Sequence, residues 1–159
     1  MSNQAQFVQQ AQQYMDTIFR LAFSCLKNRT DADDVTQIVL LRLYQNNKPF
    51  VNDSHLKHWL IRVTLNECKK HWRSLWRRTE DLDTYINTLT FEDGQYRDLL
   101  QAILELDRKY RVVIYLHYYE GYTIEEMAKL LHLPAGTVGT RLARARSRLK
   151  TNLSEEENL

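Results

Sequence analysis

Apolar residues recur at helical spacing along nearly the whole of this chain. Tyr14, Ile18, Ala22 and Leu26 fall four apart with Phe19 and Phe23 one position over, which predicts a first helix with a wide apolar face. Thr30-x-x-Asp33 has the form of a capping box and predicts a second helix opening at Thr30 and running through DVTQIVLLRLYQ. Pro49 and the polar run Asn52, Asp53, Ser54 predict a turn over residues 49–54, before a third helix, HLKHWLIRVTLNECKKHWRSLW. Residues 79–95 lose the periodicity and contain Gly94, so they are expected to be a linker. Helices resume at Tyr96. VVIY (112–115) has strand propensity, but Leu99, Ile103 and Leu106 lead into Val113, Leu116 and Tyr119 at helical spacing, and helix is expected there too.

The C-terminal third has finer punctuation. Thr123-x-x-Glu126 is a second capping box, opening a short helix in which Ile124, Ala128 and Leu131 are expected to face one way. His132-Leu133-Pro134 interrupts it, and a longer helix follows from about Ala135 to Leu149. Two helices joined by so short a turn make a helix-turn-helix. On the second of them Val138, Leu142, Ala145 and Leu149 form a packing stripe, whereas Thr137, Arg141, Arg144 and Arg148 form another at i, i+4, i+7 and i+11. Arginine forks suit phosphate oxygens and guanine edges, and a helix of this width fits a DNA major groove. A solvated helix face has the same look, but no acid lies three or four places from these arginines, which favours nucleic acid.

Composition narrows the class. In 159 residues, 43% hydrophobic and 11% aromatic side chains are enough for packed cores. Cys25 and Cys68 form no CxxC pair, the N-terminus is polar, and no apolar run approaches the roughly 20 residues of a membrane span, so a cytoplasmic chain with reduced thiols and no membrane insertion is expected. Net charge is only +2, yet its distribution is uneven. Arg62, Lys69, Lys70, Arg73, Arg77 and Arg78 stand against the single acid Glu67, residues 79–98 are acidic, residues 141–150 are basic, and Glu155, Glu156 and Glu157 close the chain. The expected fold is therefore all-α: two small helical domains, residues 1–78 and 96–153, joined by a flexible acidic linker over 79–95 and followed by an acidic tail, 154–159.

These segments, in this order, resemble an extracytoplasmic-function sigma factor of bacterial RNA polymerase. DADDVTQIVLLRLYQ is similar to that family's core-binding helix, FVNDSHLKHWLIRVTLNECKKHWR to its promoter-melting helix, and GYTIEEMAKLLHLPAGTVGTRLARARSRLK to its second DNA-binding domain. The resemblance covers the chain from about Tyr14 to Leu149. It implies a protein that docks on the clamp and flap elements of core polymerase, reads two promoter elements and helps to open the duplex, with an anti-sigma factor as a possible further partner. Two DNA-binding faces on one connector would gain affinity through effective concentration.

Asp34, Gln37 and Leu41, at i, i+3 and i+7, match the positions by which the family grips the polymerase clamp. Leucines on such a helix are commonly core, but this one has more apolar positions than a small core needs, and an outward strip suits a partner helix. Asn66 matches the position that contacts an extruded base of the promoter element to be melted, and the turn from Phe50 through Asn52 to Ser54 matches the loop that walls the base pocket. Lys69, Lys70 and Arg73 share a face with Asn66 and are placed to grip phosphates. Trp59 is expected in the core, whereas Trp72 and Trp76 lie among basic residues. In the second domain the DNA contacts fall on Thr137, Thr140, Arg141, Arg144 and Arg148.

The chain departs from the family pattern in three places. Gly139 and Thr140 stand where a basic residue and serine are usual, which removes a contact and costs roughly 1 kcal/mol of helix stability relative to alanine. His132 occupies a turn position that is usually glycine, and histidine tolerates the positive φ. LDRKYR replaces a customary proline before Val112, which alters a helix start. No enzyme signature competes with this reading: there is no Gly-rich phosphate loop and no GxSxG. His55-x-x-His58 lacks a matched second pair of ligands, so neither metal nor cofactor is expected. The alternative reading is a helix-turn-helix repressor or activator that binds its operator without polymerase, usually as a symmetric dimer.

Overall fold

In the computed structural model, residues 3–75 and 101–157 are described, with side chains over 4–72 and 101–151. The expected linker, 79–95, and the side chains of Arg73 and Trp76 lie outside that range. The chain divides into two compact units, Met1–Thr79 and Glu80–Leu159, and the described residues are helical with no strand.

The first unit has three helices: α1 (Asn3–Leu26), α2 (Arg29–Gln45) and α3 (Asp53–Leu75). Tyr14, Ile18, Leu21, Ala22 and Cys25 of α1 are buried with Val35, Val39 and Leu43 of α2 and Leu56, Leu60, Ile61 and Cys68 of α3. Each fully buried leucine contributes roughly 1.5–3 kcal/mol by leaving water. Only two residues separate α1 from α2. Lys27 adopts φ 53°, and Asn28, not Thr30, caps the second helix, its side-chain oxygen accepting the Asp31 amide at 2.9 Å. Thr30 lies inside the first turn of α2, so its hydroxyl comes two residues too late to cap.

The turn before α3 is shorter than the sequence suggests. Asn52 accepts the His55 amide at 2.8 Å on its side chain and the Leu56 amide at 3.1 Å on its carbonyl. Asp53 and Ser54 therefore form the first turn of the helix and not part of the loop.

In the second unit, residues 101–104 are helical, the chain breaks at 105–107, and α4 (Arg108–Ile114) follows. The helical spacing expected through Ile103, Leu106 and Val113 thus crosses a helix end and a new helix start, with Asp107 at the N-cap of α4, while Tyr96 and Leu99 lie outside the described residues. Arg111, itself buried, donates from Nη1 to the Leu106 carbonyl at 2.6 Å and closes the break. α4 runs into a π-helical turn over Tyr115–Tyr119, then α5 (Ile124–Leu131) and α6 (Ala135–Glu157) follow. Tyr119 is exposed and not part of the core. On α5 the buried residues are Met127 and Leu130, while Ile124, Ala128 and Leu131 are half-buried flanks of that face. α6 continues past Leu149 to Glu157.

Candidate nucleic-acid and polymerase interfaces

The turn between α5 and α6 is built by local chemistry. Thr123 Oγ1 accepts the Glu126 amide and Glu126 Oε1 accepts the Thr123 amide, both at 3.1 Å, completing the capping box. His132 ends α5 in the left-handed region, φ 55° and ψ 46°. Val138, Leu142 and Ala145 are buried and set the rotation of α6 about its axis. Thr137 and Arg141 then fall at the edge of the packed face, with Thr140, Arg144 and Arg148 exposed. The Thr140 hydroxyl donates to the Gly136 carbonyl at 2.9 Å and keeps its lone pairs outward.

The five basic side chains of α6 are not equivalent. Arg146 faces back into the unit, donating to the Tyr118 hydroxyl at 2.5 Å with His117 Nε2 at 3.4 Å. Arg148 lies over the Tyr110 ring, 4.9 Å from its centroid, and 3.9 Å from Asp107. Sequence spacing on α6 alone hides that acid, because Asp107 comes from the start of α4. Among the described residues, no hydrogen bond or ion pair engages Arg141 or Arg144.

On α3, Asn66, Lys69 and Lys70 are exposed on one face. Lys70 donates to Glu67 at 3.0 Å, and Glu67 also pairs with Arg42 of α2. The loop before α3 is ordered by its own contacts: the Val51 amide donates to His55 Nδ1 at 3.1 Å, and the Phe50 ring meets those of His55 and Trp59 at 5.3 and 5.5 Å. Trp59 is therefore not a core residue. It is half-buried, with Phe50 beside it on the face that Asn66 continues two turns later, roughly 10 Å along the axis. Phe50 and Asn52 also line a cavity of about 390 Å³ with Phe7, Tyr44 and Lys48. Asn66 does not line it, so the loop residues and Asn66 share a helix face but not one cavity.

On α2, Val35, Thr36, Val39 and Leu43 point inward while Asp34, Gln37 and Leu41 point out, Leu41 being 54% exposed. Tyr44, at the next i+3 step, is 60% exposed and extends the strip. It was legible in the spacing 34, 37, 41, 44 but not singled out. Cys25 and Cys68 are buried free thiols. Among the described residues no group of three His, Cys, Asp or Glu side chains is placed to hold a metal, and no helix is long and apolar enough to cross a membrane.

Three outward faces thus lie on three helices, the last in a helix-turn-helix. The chain matches the family described as Sigma-70 region 2 over residues 11–78 and that described as Sigma-70, region 4 over residues 96–149. It is 31% identical to the ECF RNA polymerase sigma factor EcfG of Rhodopseudomonas palustris, over 83% of this chain and 76% of that one. It is 29% identical to the ECF RNA polymerase sigma factor SigW of Bacillus subtilis, over 89% and 86%. The solved structure of the sigma factor RpoE in complex with the anti-sigma factor NepR from Bartonella quintana superposes with a TM-score of 0.70 at 25% identity, covering 94% of this chain and 97% of that one. The chain belongs to the extracytoplasmic-function sigma factors of the sigma-70 family. It is a DNA-binding initiation factor that directs RNA polymerase to promoters.

Proposed function

We propose a division of this work among the three faces. Asp34, Gln37 and Leu41, with Tyr44 beyond them, dock on the clamp of core polymerase. A strip that is apolar at one end and polar at the other suits a partner helix, which buries Leu41 and Tyr44 and pairs with Asp34. In the same unit Phe50, Asn52, Ser54 and Asn66 act on the promoter element to be melted. Extruding a base costs a few kcal/mol, so the opened strand needs both a stacking surface and a hydrogen-bonding edge. Phe50 with Trp59 supplies the first, and the exposed Asn66 amide the second. Lys69, Lys70 and Arg73 hold the phosphates of that strand.

In the second unit Thr137, Thr140, Arg141, Arg144 and Arg148 meet the promoter element further from the start site, and the same unit contacts the flap of polymerase. The observation that carries this assignment is the rotation of α6, which buries Val138, Leu142 and Ala145 and leaves Arg144 without a partner among the described residues. Occlusion by an anti-sigma factor fits the likeness to a sigma factor solved with one. The protein acts in the cytoplasm with polymerase and carries out no catalysis of its own. The reading is tested by transcription from a promoter library with holoenzyme reconstituted from this chain and core. Selective initiation supports it. A chain that binds DNA but neither co-elutes with core nor initiates is instead a helix-turn-helix repressor or activator.

A further inference from the structure

Glu67 is the single acid between residues 62 and 78, and its side chain is only 3% exposed although Asn66, Lys69 and Lys70 around it are exposed. One oxygen, Oε1, serves two cations: the Arg42 guanidinium of α2 at 2.5 Å and the Lys70 ammonium at 3.0 Å. A carboxylate taken out of water needs such partners, and these two meet the need while remaining 42% and 62% exposed themselves. The same contacts act in the other direction. Two cations and one carboxylate leave a single net positive charge where two cations stand. The neighbouring Lys69 joins no ion pair among the described residues.

We propose that Glu67 sets the strength with which α3 grips the DNA backbone: it holds Lys70 toward α2, so a phosphate meets the full charge of Lys69 but a Lys70 whose charge is partly offset by the carboxylate it shares with Arg42. The inference rests on the reading of α3 as a DNA face. Each lysine that neutralises a phosphate releases condensed counterions, and one engaged by a carboxylate must first leave it. Phosphate contacts strengthen binding to all sequences alike, so the paired Lys70 keeps sequence-independent binding weak while Asn66, beside it, still reads a base. Glu67 touches no DNA in this scheme. It is a positioning residue that acts through Lys70.

The test uses holoenzyme assembled from the full-length chain and a promoter probe with the melted element single-stranded, titrated across a salt series. Glu67→Gln is expected to steepen the log–log salt slope by about 0.7–0.9 and to raise low-salt affinity by the same factor on promoter and scrambled probes. Adding Lys70→Ala to Glu67→Gln should return the slope to its starting value. A purely structural role for Glu67 moves the slope the other way or not at all, and either result in a folded variant overturns the proposal. Should Glu67→Gln lose its helical circular dichroism, the two lysines are compared directly: Lys70→Ala should flatten the slope by less than half as much as Lys69→Ala, and equal flattening overturns the proposal. An unchanged slope in Lys69→Ala removes α3 as a DNA face, and that failure of the underlying reading is distinct from a failure confined to Glu67.

Discussion

The ring of Phe7 on α1 meets the ring of Tyr44 on α2 edge-on, with centroids 5.1 Å apart and planes at 77°. The contact braces an aromatic side chain that is still more than half exposed, at the end of the strip that begins with Asp34. A braced aromatic loses little conformational freedom when a partner covers it. Asp34→Arg combined with Gln37→Ala is expected to abolish co-elution with core polymerase without changing the helical circular dichroism, since both residues are exposed. Tyr44→Ala should weaken core binding by about tenfold or more. Undiminished co-elution of the double variant would remove the docking assignment.

Asn66 separates melting from binding. Its side chain projects from α3 into solvent, and the base it is assigned becomes available only once the strands part. Asn66→Ala should therefore leave affinity for closed duplex nearly unchanged while weakening capture of an already single-stranded element by on the order of 1–3 kcal/mol, a five- to 150-fold loss. Parallel titrations of duplex and partly single-stranded probes measure the difference. Equal loss on both probes would make Asn66 a structural residue.

Much of this was legible in the sequence where the governing interaction is local. The Thr123–Glu126 box and the His132 turn depend on residues three or four apart, and both take the expected form. The α6 packing stripe is legible for the same reason, because one helix face against one core needs only periodicity. The failures are long-range or competitive. Asn28 wins the α2 cap over Thr30 because the two-residue α1–α2 connection leaves it as the last non-helical residue. The break at 105–107 depends on the buried guanidinium of Arg111 reaching back to the Leu106 carbonyl, which no hydrophobic pattern records. Trp59 leaves the core because the loop bearing Phe50 folds onto it. The Glu67 pair with Arg42 joins helices 25 positions apart in sequence.

Gly139 offers a test of stability independent of any partner. A Cβ built there meets only Ile124 Cδ1, at 3.9 Å, an ordinary contact, and the backbone is helical. Gly139→Ala should thus stabilise the protein by roughly 0.5–1 kcal/mol, through the smaller entropy lost on folding. Chemical denaturation of the full chain, followed by circular dichroism, measures the shift. Destabilisation would show that α6 and α5 need a closer approach than their present packing implies.

Arg144 and Arg148 occupy one stripe of α6, yet their surroundings predict unequal contributions to DNA binding. Arg144 is exposed and has no partner among the described residues, so on meeting a phosphate it delivers its whole charge. Arg148 lies over Tyr110 and 3.9 Å from Asp107, a solvated pair worth at most about 1 kcal/mol but one that offsets part of the positive potential. With holoenzyme from the full chain on duplex carrying the distal promoter element, Arg144→Ala should flatten the log–log salt slope by about 0.9 and Arg148→Ala by less. Asp107→Asn should raise low-salt affinity modestly, with the gain fading as salt screens the charge. Its carboxylate makes no capping hydrogen bond in α4, so the amide disturbs no helix start. Thr140→Val carries no charge change and should leave the slope alone. If the Thr140 hydroxyl reads a base edge, that substitution instead shifts preference at one base pair by on the order of 1–3 kcal/mol. Equal flattening by the two arginine variants would show that Asp107 has no hold on Arg148 once DNA is bound, and an unchanged slope in Arg144→Ala would remove this face of α6 from the DNA.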